Sequence, residues 1–321
     1  MSENVLEKLD NIGILPVITI DKAQRAVPLA RALKEAGIPA MEVMFRSADS
    51  AESIKRITAE VPGFICGAGT VLTPDQARTA VKCGAQFLVA PGLDPEVVKT
   101  AAELGVPMIP GCTNPTDFGR ARQLGCKVIK FFPAIQNGGV KTMELIGGPF
   151  PDIRFVPTGD LVCENAFEYL QFWKVACAGG DYMLKYDDIY NDRYDKIRED
   201  AENTVLSYLN FHIVHIGVNA KSGDEAEKET KEFADIFKAP LRDCGKSFMA
   251  GGLFEAMKAP FYYENGHIAV GTRDARRAYW YLKRRGYEFI EDTVSHDDKG
   301  RIICAYLKKP VAGFAIHLLQ D

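Results

Sequence analysis

Short apolar runs alternate with amphipathic stretches along the first part of this 321-residue chain, and this alternation restricts its possible folds more than any other feature. Continuous apolar runs are typical of strands buried on both faces, whereas apolar residues three and four apart are typical of helices. The predicted strands are 14–20, 40–45, 65–72, 87–91, 107–112, 128–133, 154–158 and 175–180. Because eight strands each followed by a helix specify a closed parallel barrel, we predict an α/β fold of the TIM (β/α)8 type.

The helices between these runs have recognisable starts. The predicted helices are 21–36, 49–61, 73–82, 94–104, 114–124 and 140–146. Asp21, Thr73, Asp94 and Asn114 stand where a side chain can accept a hydrogen bond from the first turn. A longer helix over 188–209 is expected to close the ring.

After residue 209 the pattern becomes that of a smaller domain. It predicts a strand at 212–218, a helix at 225–237 and a strand at 251–257, and then repeats the order of strand, helix and strands. The repeat comprises segments 266–271, 274–285, 287–293, 301–308 and 313–319. We therefore predict two domains, a barrel over 1–209 and an α+β domain of paired βαβββ halves over 210–321.

Composition excludes several classes of function. The net charge is −4 and 47% of residues are hydrophobic, which is ordinary for a soluble globular protein and gives no basic surface for nucleic acid. No apolar run approaches the length of a membrane span, and the N-terminus lacks the order of a signal peptide. We expect a cytoplasmic protein that binds neither membrane nor nucleic acid.

Lys130 is an ionisable residue within the apolar run 128–133. A lysine surrounded by β-branched and aromatic residues loses solvation of its ammonium form, so its neutral amine becomes available to attack a carbonyl. This position predicts a Schiff-base enzyme. The alternative is that the side chain extends from a strand end to water.

Polar residues follow several predicted strands at the barrel end where active sites form. Glu42 and Arg46 bracket the end of the second strand, Thr70 ends the third, and Pro91 and Thr158 end the fourth and seventh. Such residues would converge near Lys130. Glutamate could transfer protons, while arginine and threonine could hold a carboxylate; alternatively, the glutamate and arginine form a structural ion pair.

These residues belong to motifs that stand in a characteristic order. They are Gly-Ile-Leu-Pro-Val-Ile at 13–18, Glu-x-x-x-Arg at 42–46, Gly-Ala-Gly-Thr-Val-Leu at 67–72, Ala-Pro-Gly-Leu at 90–93, Pro-Gly at 110–111, Lys-Phe-Phe-Pro-Ala at 130–134, Asn-Gly-Gly-Val-Lys at 137–141 and Pro-Thr-Gly at 157–159. Over about the first 205 residues the chain resembles the KDPG/KHG aldolases.

The resemblance implies a class I aldolase that cleaves 2-dehydro-3-deoxy-6-phosphogluconate or 4-hydroxy-2-oxoglutarate to pyruvate and an aldehyde. Lys130 would form the Schiff base and Glu42 would be the general acid/base, while Arg46, Thr70 and Pro91 would line the pyruvate site. No metal is needed for this step. The resemblance also implies a small 2-oxo acid as substrate and a homotrimer.

The chain departs from this family where a distal phosphate would bind. Phosphate-binding relatives usually have Thr-Gly-Gly after strand seven and Gly-Gly-Ser after strand eight, whereas this chain has Thr158, Gly159 and Asp160, and then Gly180 and Asp181. Two carboxylates near a dianion are unfavourable. We therefore expect a substrate that is unphosphorylated at this end, with a neutral, polyhydroxylated or cationic distal group or a bound cation, unless both aspartates turn outward as loop caps.

The second domain carries a set of potential metal ligands, His215, Glu255, His267 and His317. Their positions resemble those of the metal ligands in the vicinal oxygen chelate, or glyoxalase-like, fold. Imidazole and carboxylate ligands suit a divalent metal such as Zn²⁺, Ni²⁺ or Fe²⁺. His317 stands where glutamate is more common, and the alternative is a metal-free domain with interior histidines.

Two classes of function follow. In the first, the barrel is an active aldolase, and the second domain supplies contacts, a lid or a further metal-dependent step, which would make the enzyme bifunctional. In the second, the barrel is catalytically inactive and serves as a metabolite-binding or sensor protein. Retention of Lys130, Glu42, Arg46 and Thr70 together favours the first class.

Overall fold

The computed structural model describes residues 4–321, so residues 1–3 of the predicted first domain lie outside the described part. The chain divides into two compact units between Val205 and Leu206. The predicted boundary lies after residue 209. Among the described residues, none of the helices has the length and apolar character that crossing a membrane requires.

The first unit is built on eight short strands. They are β1 Ile14–Ile18, β2 Ala40–Met44, β3 Ile65–Gly69, β4 Leu88–Val89, β5 Met108–Ile109, β6 Val128–Phe131, β7 Arg154–Pro157 and β8 Ala178–Gly180. Six form a parallel sheet in the order β5-β4-β3-β2-β1-β8, and β6 pairs with β7. Bridges from Gly111 to Lys130 and from Thr158 to Gly179 join the two groups. The predicted α/β fold is therefore confirmed, and its parallel strands form a curled sheet.

One helix precedes the first strand of this unit and the others follow strands, the last of them crossing the boundary after Val205. They are α1 Val5–Ile12, α2 Ala26–Glu35, α3 Ser50–Glu60, α4 Pro74–Lys82, α5 Pro95–Glu103, α6 Pro115–Gln123, α7 Gly139–Gly147, α8 Cys163–Gln171, α9 Tyr186–Tyr190 and α10 Tyr194–Leu209. Thr73, Asp94 and Asn114 cap α4, α5 and α6 by accepting hydrogen bonds from backbone N–H groups, as predicted.

Two helix predictions are wrong. Asp21 does not cap a helix, because its carboxylate accepts a hydrogen bond from Arg25 at 2.6 Å, and a 3-10 turn precedes α2. The single helix expected over 188–209 is two helices, α9 and α10. Between them Asp192 adopts a left-handed conformation, with φ of 54°, which a continuous right-handed helix does not allow.

Aromatic residues pack the core between α6 and the strands β6 and β7. Phe118 of α6 lies 5.6 Å from Phe155 of β7, and Phe131 of β6 lies 6.4 Å from the same ring. Arg154, at the start of β7, donates hydrogen bonds to the buried carboxylate of Asp10. This charged contact is structural, because it compensates a carboxylate removed from water.

The second unit is a mixed sheet of eight strands with two helices. The strands are β9 His212–Asn219, β10 Leu241–Asp243, β11 Ser247–Ala250, β12 Phe254–Met257, β13 Gly266–Thr272, β14 Ser295–His296, β15 Ile302–Tyr306 and β16 Phe314–Gln320. The helices are α11 Gly223–Phe237 and α12 Ala275–Arg284. The strand order is β10-β11-β12-β9-β13-β16-β15-β14.

The two halves of this sheet have the same strand pairing. Each half consists of a strand, a helix and three strands, and its last strand pairs in parallel with its first, β12 with β9 and β16 with β13. The two first strands, β9 and β13, pair antiparallel. The four central strands of the sheet are therefore the first and last strands of each half.

Several strand predictions in this unit need correction. The segment 287–293 is not a strand, since Phe289 makes an isolated bridge to Leu307 and a 3-10 turn covers Glu291–Thr293. The strand expected at 251–257 begins only at Phe254, because Gly251 and Gly252 form a turn with positive φ. Strands β10, β11 and β14 carry no clear sequence signal, since β10 and β14 are exposed along their length.

Candidate functional site

Lys130 lies on β6, and only 7% of the residue is exposed. Its Nζ is 3.6 Å from Oε1 of Glu42, which lies on β2 and is 1% exposed. The side-chain nitrogen is thus buried beside a carboxylate rather than extended to water, which excludes the alternative of a strand-end lysine. Charges are buried in this way only when they compensate each other or serve a reaction.

Within the part of the chain that the structure describes, the Glu42 carboxylate has this ionic contact but accepts no hydrogen bond. Both of its oxygens are buried and lack a hydrogen-bond partner among residues 4–321. Gly69, at the end of β3, makes room for it, because a Cβ at that position would lie 2.0 Å from Oε1. A carboxylate with vacant acceptor sites next to an amine is suited to accept a proton from a bound hydroxyl or water.

Arg46 does not pair with Glu42. Its Nε donates a hydrogen bond of 3.3 Å to Oγ1 of Thr70, whose backbone has a φ of 57°. The structural ion pair considered for the glutamate and this arginine is therefore not formed. Arg46 and Thr70 instead lie together after β2 and β3, where they offer donors to an anionic group.

The ends of the remaining strands are closely packed. Pro91 follows β4, and a Cβ on Gly111 would lie 1.9 Å from its carbonyl oxygen. Thr158 follows β7 and is buried, with its Oγ1 only 2.6 Å from where a Cβ on Gly179 would stand. Glycine at both places lets neighbouring strand ends approach closely.

The two aspartates considered for the distal end of the substrate are both exposed. Asp160 follows Gly159 with a φ of 53°, and its Oδ2 accepts a hydrogen bond of 2.6 Å from Nε2 of Gln136. Asp181 follows Gly180 at the end of β8. Sequence reasoning missed Gln136, which lies in the segment between β6 and α7 and bears no motif of its own.

The four predicted metal ligands of the second unit lie on its four central strands. Glu255 is on β12, His215 on β9, His267 on β13 and His317 on β16. Strand register places Ala269 opposite both His215 and His317, and Gly217 opposite both His267 and Glu255. Ligand atoms of the three histidines lie within 4.8 Å of one another. The structure therefore brings together residues 102 positions apart.

Three of the separations between ligand atoms, those among His215, His267 and Glu255, are close to the separations in a tetrahedral metal site. His267 Nε2 lies 3.1 Å from His215 Nε2 and 3.0 Å from Oε2 of Glu255, which is 3.5 Å from His215 Nε2. Ligands at about 2.0–2.1 Å from a metal in tetrahedral arrangement lie about 3.3 Å apart. In addition, Nε2 of His317 is buried and lacks a hydrogen-bond partner in the described chain. These residues fit a divalent metal.

Burial and neighbouring groups shift the pKa values of His215, Glu255 and His317. Burial, together with the adjacent imidazoles, lowers the pKa of His317 to about 3, and burial also lowers the pKa of His215. Burial opposes ionisation of Glu255, but hydrogen bonds from His267 and Ser247 hold its pKa below the usual range. At neutral pH these shifts favour the neutral imidazoles of His215 and His317 and the ionised carboxylate of Glu255, the forms that bind metals.

Aromatic side chains that the sequence did not indicate surround the histidines. The ring of Tyr306 stacks on His317 with centroids 4.4 Å apart, and Phe261 lies 6.5 Å from His267. Phe261 and Tyr262 also contact Tyr306. These residues give the cluster an apolar margin.

A parallel barrel with a buried lysine beside a carboxylate is the arrangement of class I aldolases. The family model for KDPG and KHG aldolase matches residues 5–199. The chain therefore belongs to the KDPG and KHG aldolase family. The family match confirms the resemblance over the barrel and does not extend into the second unit.

Individual relatives are similar over the same extent. The chain is 40% identical to the 2-dehydro-3-deoxy-phosphogluconate aldolase of Treponema pallidum over 66% of its length and 98% of the relative. It is also 40% identical to the KHG/KDPG aldolase of Escherichia coli, over 60% of this chain and 90% of the relative. The crystal structure of the Legionella pneumophila KDPG aldolase, with pyruvate captured as a covalent carbinolamine, is 32% identical with a TM-score of 0.60, covering 62% of this chain and 97% of that one.

Proposed function

We propose that the barrel unit is a class I aldolase that cleaves or forms 2-keto-3-deoxy or 4-hydroxy-2-oxo acids, with pyruvate as one product, through a Schiff base on Lys130. The observation that carries this proposal is the buried Lys130–Glu42 pair, with Nζ and Oε1 3.6 Å apart, in the barrel of a KDPG and KHG aldolase family member. The alternative of a non-catalytic sensor is not favoured. We also propose the homotrimer implied by the resemblance.

The reaction follows from the chemistry of a protonated imine. The neutral Lys130 amine adds to the C2 carbonyl of the substrate, and loss of water gives the iminium. Glu42, directly or through water, takes the proton from the C4 hydroxyl. The C3–C4 bond then breaks, its electron pair forms the C2–C3 double bond of an enamine, and the aldehyde leaves. Protonation at C3 and hydrolysis release pyruvate and restore the amine.

The remaining residues would hold the substrate carboxylate. Arg46 and Thr70 are joined by a hydrogen bond of 3.3 Å, so an arriving carboxylate would meet a paired guanidinium and hydroxyl. Pro91 would contribute an apolar wall and Thr158 a buried hydroxyl. This arrangement suits the planar, charged end of a 2-oxo acid.

Borohydride trapping with pyruvate tests the Schiff base. Wild type should gain the mass of a reduced pyruvate adduct on Lys130, and Lys130→Met should not. Lys127→Met is the matched control, since Lys127 is an exposed lysine just before the same strand. Absence of an adduct in the wild type, or its persistence in Lys130→Met, would refute the proposal.

We propose further that the natural substrate is unphosphorylated at its distal end. The carboxylates of Asp160 and Asp181 follow the strands whose ends bind phosphate in many barrels of this type, and both are exposed. Like charges a few ångströms apart cost about 1–4 kcal/mol near a surface, which corresponds to a loss of affinity for a dianion of about fivefold to nearly 10³-fold. A neutral, polyhydroxylated distal group avoids this repulsion.

Comparison of kcat/KM for phosphorylated and unphosphorylated 2-keto-3-deoxygluconate tests this point. We expect no preference for the phosphorylated acid in the wild type. The double variant Asp160→Asn and Asp181→Asn, which removes charge at constant shape, should raise kcat/KM for the phosphorylated acid at least tenfold. A strong preference of the wild type for phosphate would contradict the proposal.

For the second unit we propose a divalent metal site formed by His215, Glu255, His267 and His317, in a vicinal oxygen chelate or glyoxalase-like domain, which would make the protein bifunctional. The convergence of these ligands from four adjacent strands supports it. A metal bound there would act as a Lewis acid towards an oxygen-bearing ligand. No metal is proposed for the aldolase step.

Metal analysis after loading with Zn²⁺, Ni²⁺ or Fe²⁺ and desalting tests the site. We expect about one metal ion per chain in the wild type and none in His267→Ala. His296→Ala is the matched control, because His296 is exposed on the edge strand β14. Wild-type protein that retains no metal, or His267→Ala protein that retains it fully, would overturn the proposal.

A further inference from the structure

Cys304 contacts His317, the predicted metal ligand that stands where glutamate is more common. It lies on β15, half-buried, and its Sγ is 3.4 Å from Nδ1 of His317 on the neighbouring strand β16. All eight cysteines of the chain are free. The thiol therefore faces Nδ1, one of the two nitrogens of the His317 imidazole.

The two nitrogens of His317 have different surroundings. Nδ1 faces the sulfur, whereas Nε2 is buried and without a hydrogen-bond partner among residues 4–321. A neutral imidazole carries its proton on one nitrogen and a lone pair on the other. If Nδ1–H donates to Sγ, the lone pair is on Nε2, which is the nitrogen available to a metal.

The plane of this ring is also held. Tyr306 lies two residues after Cys304 on β15. Its ring stacks on His317 with an interplanar angle of 11°. Stacking resists tilting of the ring but does not distinguish the ring from the same ring rotated by half a turn. That rotation would replace Nε2 with a carbon atom in the ligand position. The contact with sulfur, together with a backbone hydrogen bond between His317 and Leu318, distinguishes the two orientations.

We propose that Cys304 is a positioning residue of the second unit's metal site, which holds His317 in the orientation and tautomer that present Nε2 to the metal. This inference rests on the metal site proposed above. Metal-binding histidines usually donate their second N–H to a carboxylate or carbonyl, and loss of such a partner lowers metal affinity about 10–100-fold. Here the acceptor is a thiol.

Zinc competition against a chromophoric chelator tests the inference on the full-length protein. We expect the Zn²⁺ affinity of Cys304→Ala to be about 10–100-fold below that of the wild type. Cys244→Ala is the matched control, because Cys244 is an exposed cysteine of the same unit, and its affinity should be unchanged. His317→Ala gives the effect of losing the ligand itself, which should be larger.

The nitrogen-15 spectrum of His317 in the zinc-loaded wild type gives a readout that a merely structural cysteine would not move. It should show a protonated Nδ1 and a metal-bound Nε2. Cys304→Ser, which keeps an acceptor, should bind Zn²⁺ more tightly than Cys304→Ala. Equal affinity of Cys304→Ala and wild type, or binding through Nδ1, would overturn the positioning role alone. Failure of the wild type to bind Zn²⁺, Co²⁺, Ni²⁺ or Fe²⁺ would overturn the metal site itself.

Discussion

Replacement of Gly69 by alanine tests whether the position of Glu42 determines catalysis. The new Cβ would lie 2.0 Å from Oε1 and 2.6 Å from Cδ and Cγ of Glu42, whereas real contacts of this kind essentially never fall below 3.0 Å. The carboxylate must therefore move by at least 1.0 Å, the difference between 3.0 and 2.0 Å, in a site where it is 1% exposed and 3.6 Å from Lys130 Nζ.

A displacement of about 1 Å in a catalytic group typically lowers the rate about 10²-fold, which corresponds to about 2.7 kcal/mol in activation free energy. We therefore expect kcat/KM of Gly69→Ala to fall at least about 100-fold. Lys130 is unchanged, so reduction with borohydride should still attach pyruvate to it. Overpacking of a core typically destabilises by about 1–3 kcal/mol, so the variant should remain folded.

The assay couples pyruvate release to lactate dehydrogenase and follows oxidation of NADH. Gly119→Ala serves as the matched control, because its Cβ on α6 would meet only Phe150 at 4.0 Å. It should keep wild-type kcat/KM. A folded Gly69→Ala enzyme with kcat/KM within about threefold of the wild type would show that catalysis does not depend on the placement of Glu42.

Three further predictions follow from the structure. Gly217→Ala places a Cβ 2.0 Å from Cε1 of His267, so metal content after loading and desalting should fall to near zero, and full retention would contradict this. Without metal, the pKa of His317 is lowered from 6.5 to about 3 by burial and neighbouring imidazoles. Because the unfolded chain then binds more protons between these values, the free energy of unfolding should decrease as pH falls through that window, seen as a lower urea midpoint at pH 5 than at pH 7. Arg154→Met leaves the buried Asp10 carboxylate without its guanidinium, so unfolding should require about 3 kcal/mol less while kcat at 20 °C is unchanged; a Tm within about 2 °C of the wild type would refute the role of this pair.

The order of barrel elements was predictable because local patterns determine it. A run such as 128–133 is apolar on both faces, and the segments between such runs carry apolar residues at helical spacing. Caps such as Thr73 and Asp94 act within four residues of their own position, so they could be assigned directly. Asp21 failed as a cap because Arg25, a competing charged partner, lies one turn away.

The candidate site was predictable only in part. Lys130 and Glu42 could be named from their strands, since active sites of parallel barrels form at one end. Which groups they contact depended on packing, so the choice of Lys130 rather than Arg46 as the partner of Glu42 required the structure. The same holds for Gln136, whose hydrogen bond to Asp160 spans 24 positions without a motif.

By itself, the sequence determined the alternation of strands and helices, the placement of a lysine in an apolar strand, and the membership of the aldolase family over residues 5–199. Tertiary structure alone decided the register that places His215 and His317 on the two strands flanking β13, both opposite Ala269, and the contact of Cys304 with an imidazole nitrogen. The physical reason is that periodicity reflects burial, which each segment carries locally, whereas a site depends on strand pairing and side-chain packing between segments distant in the chain.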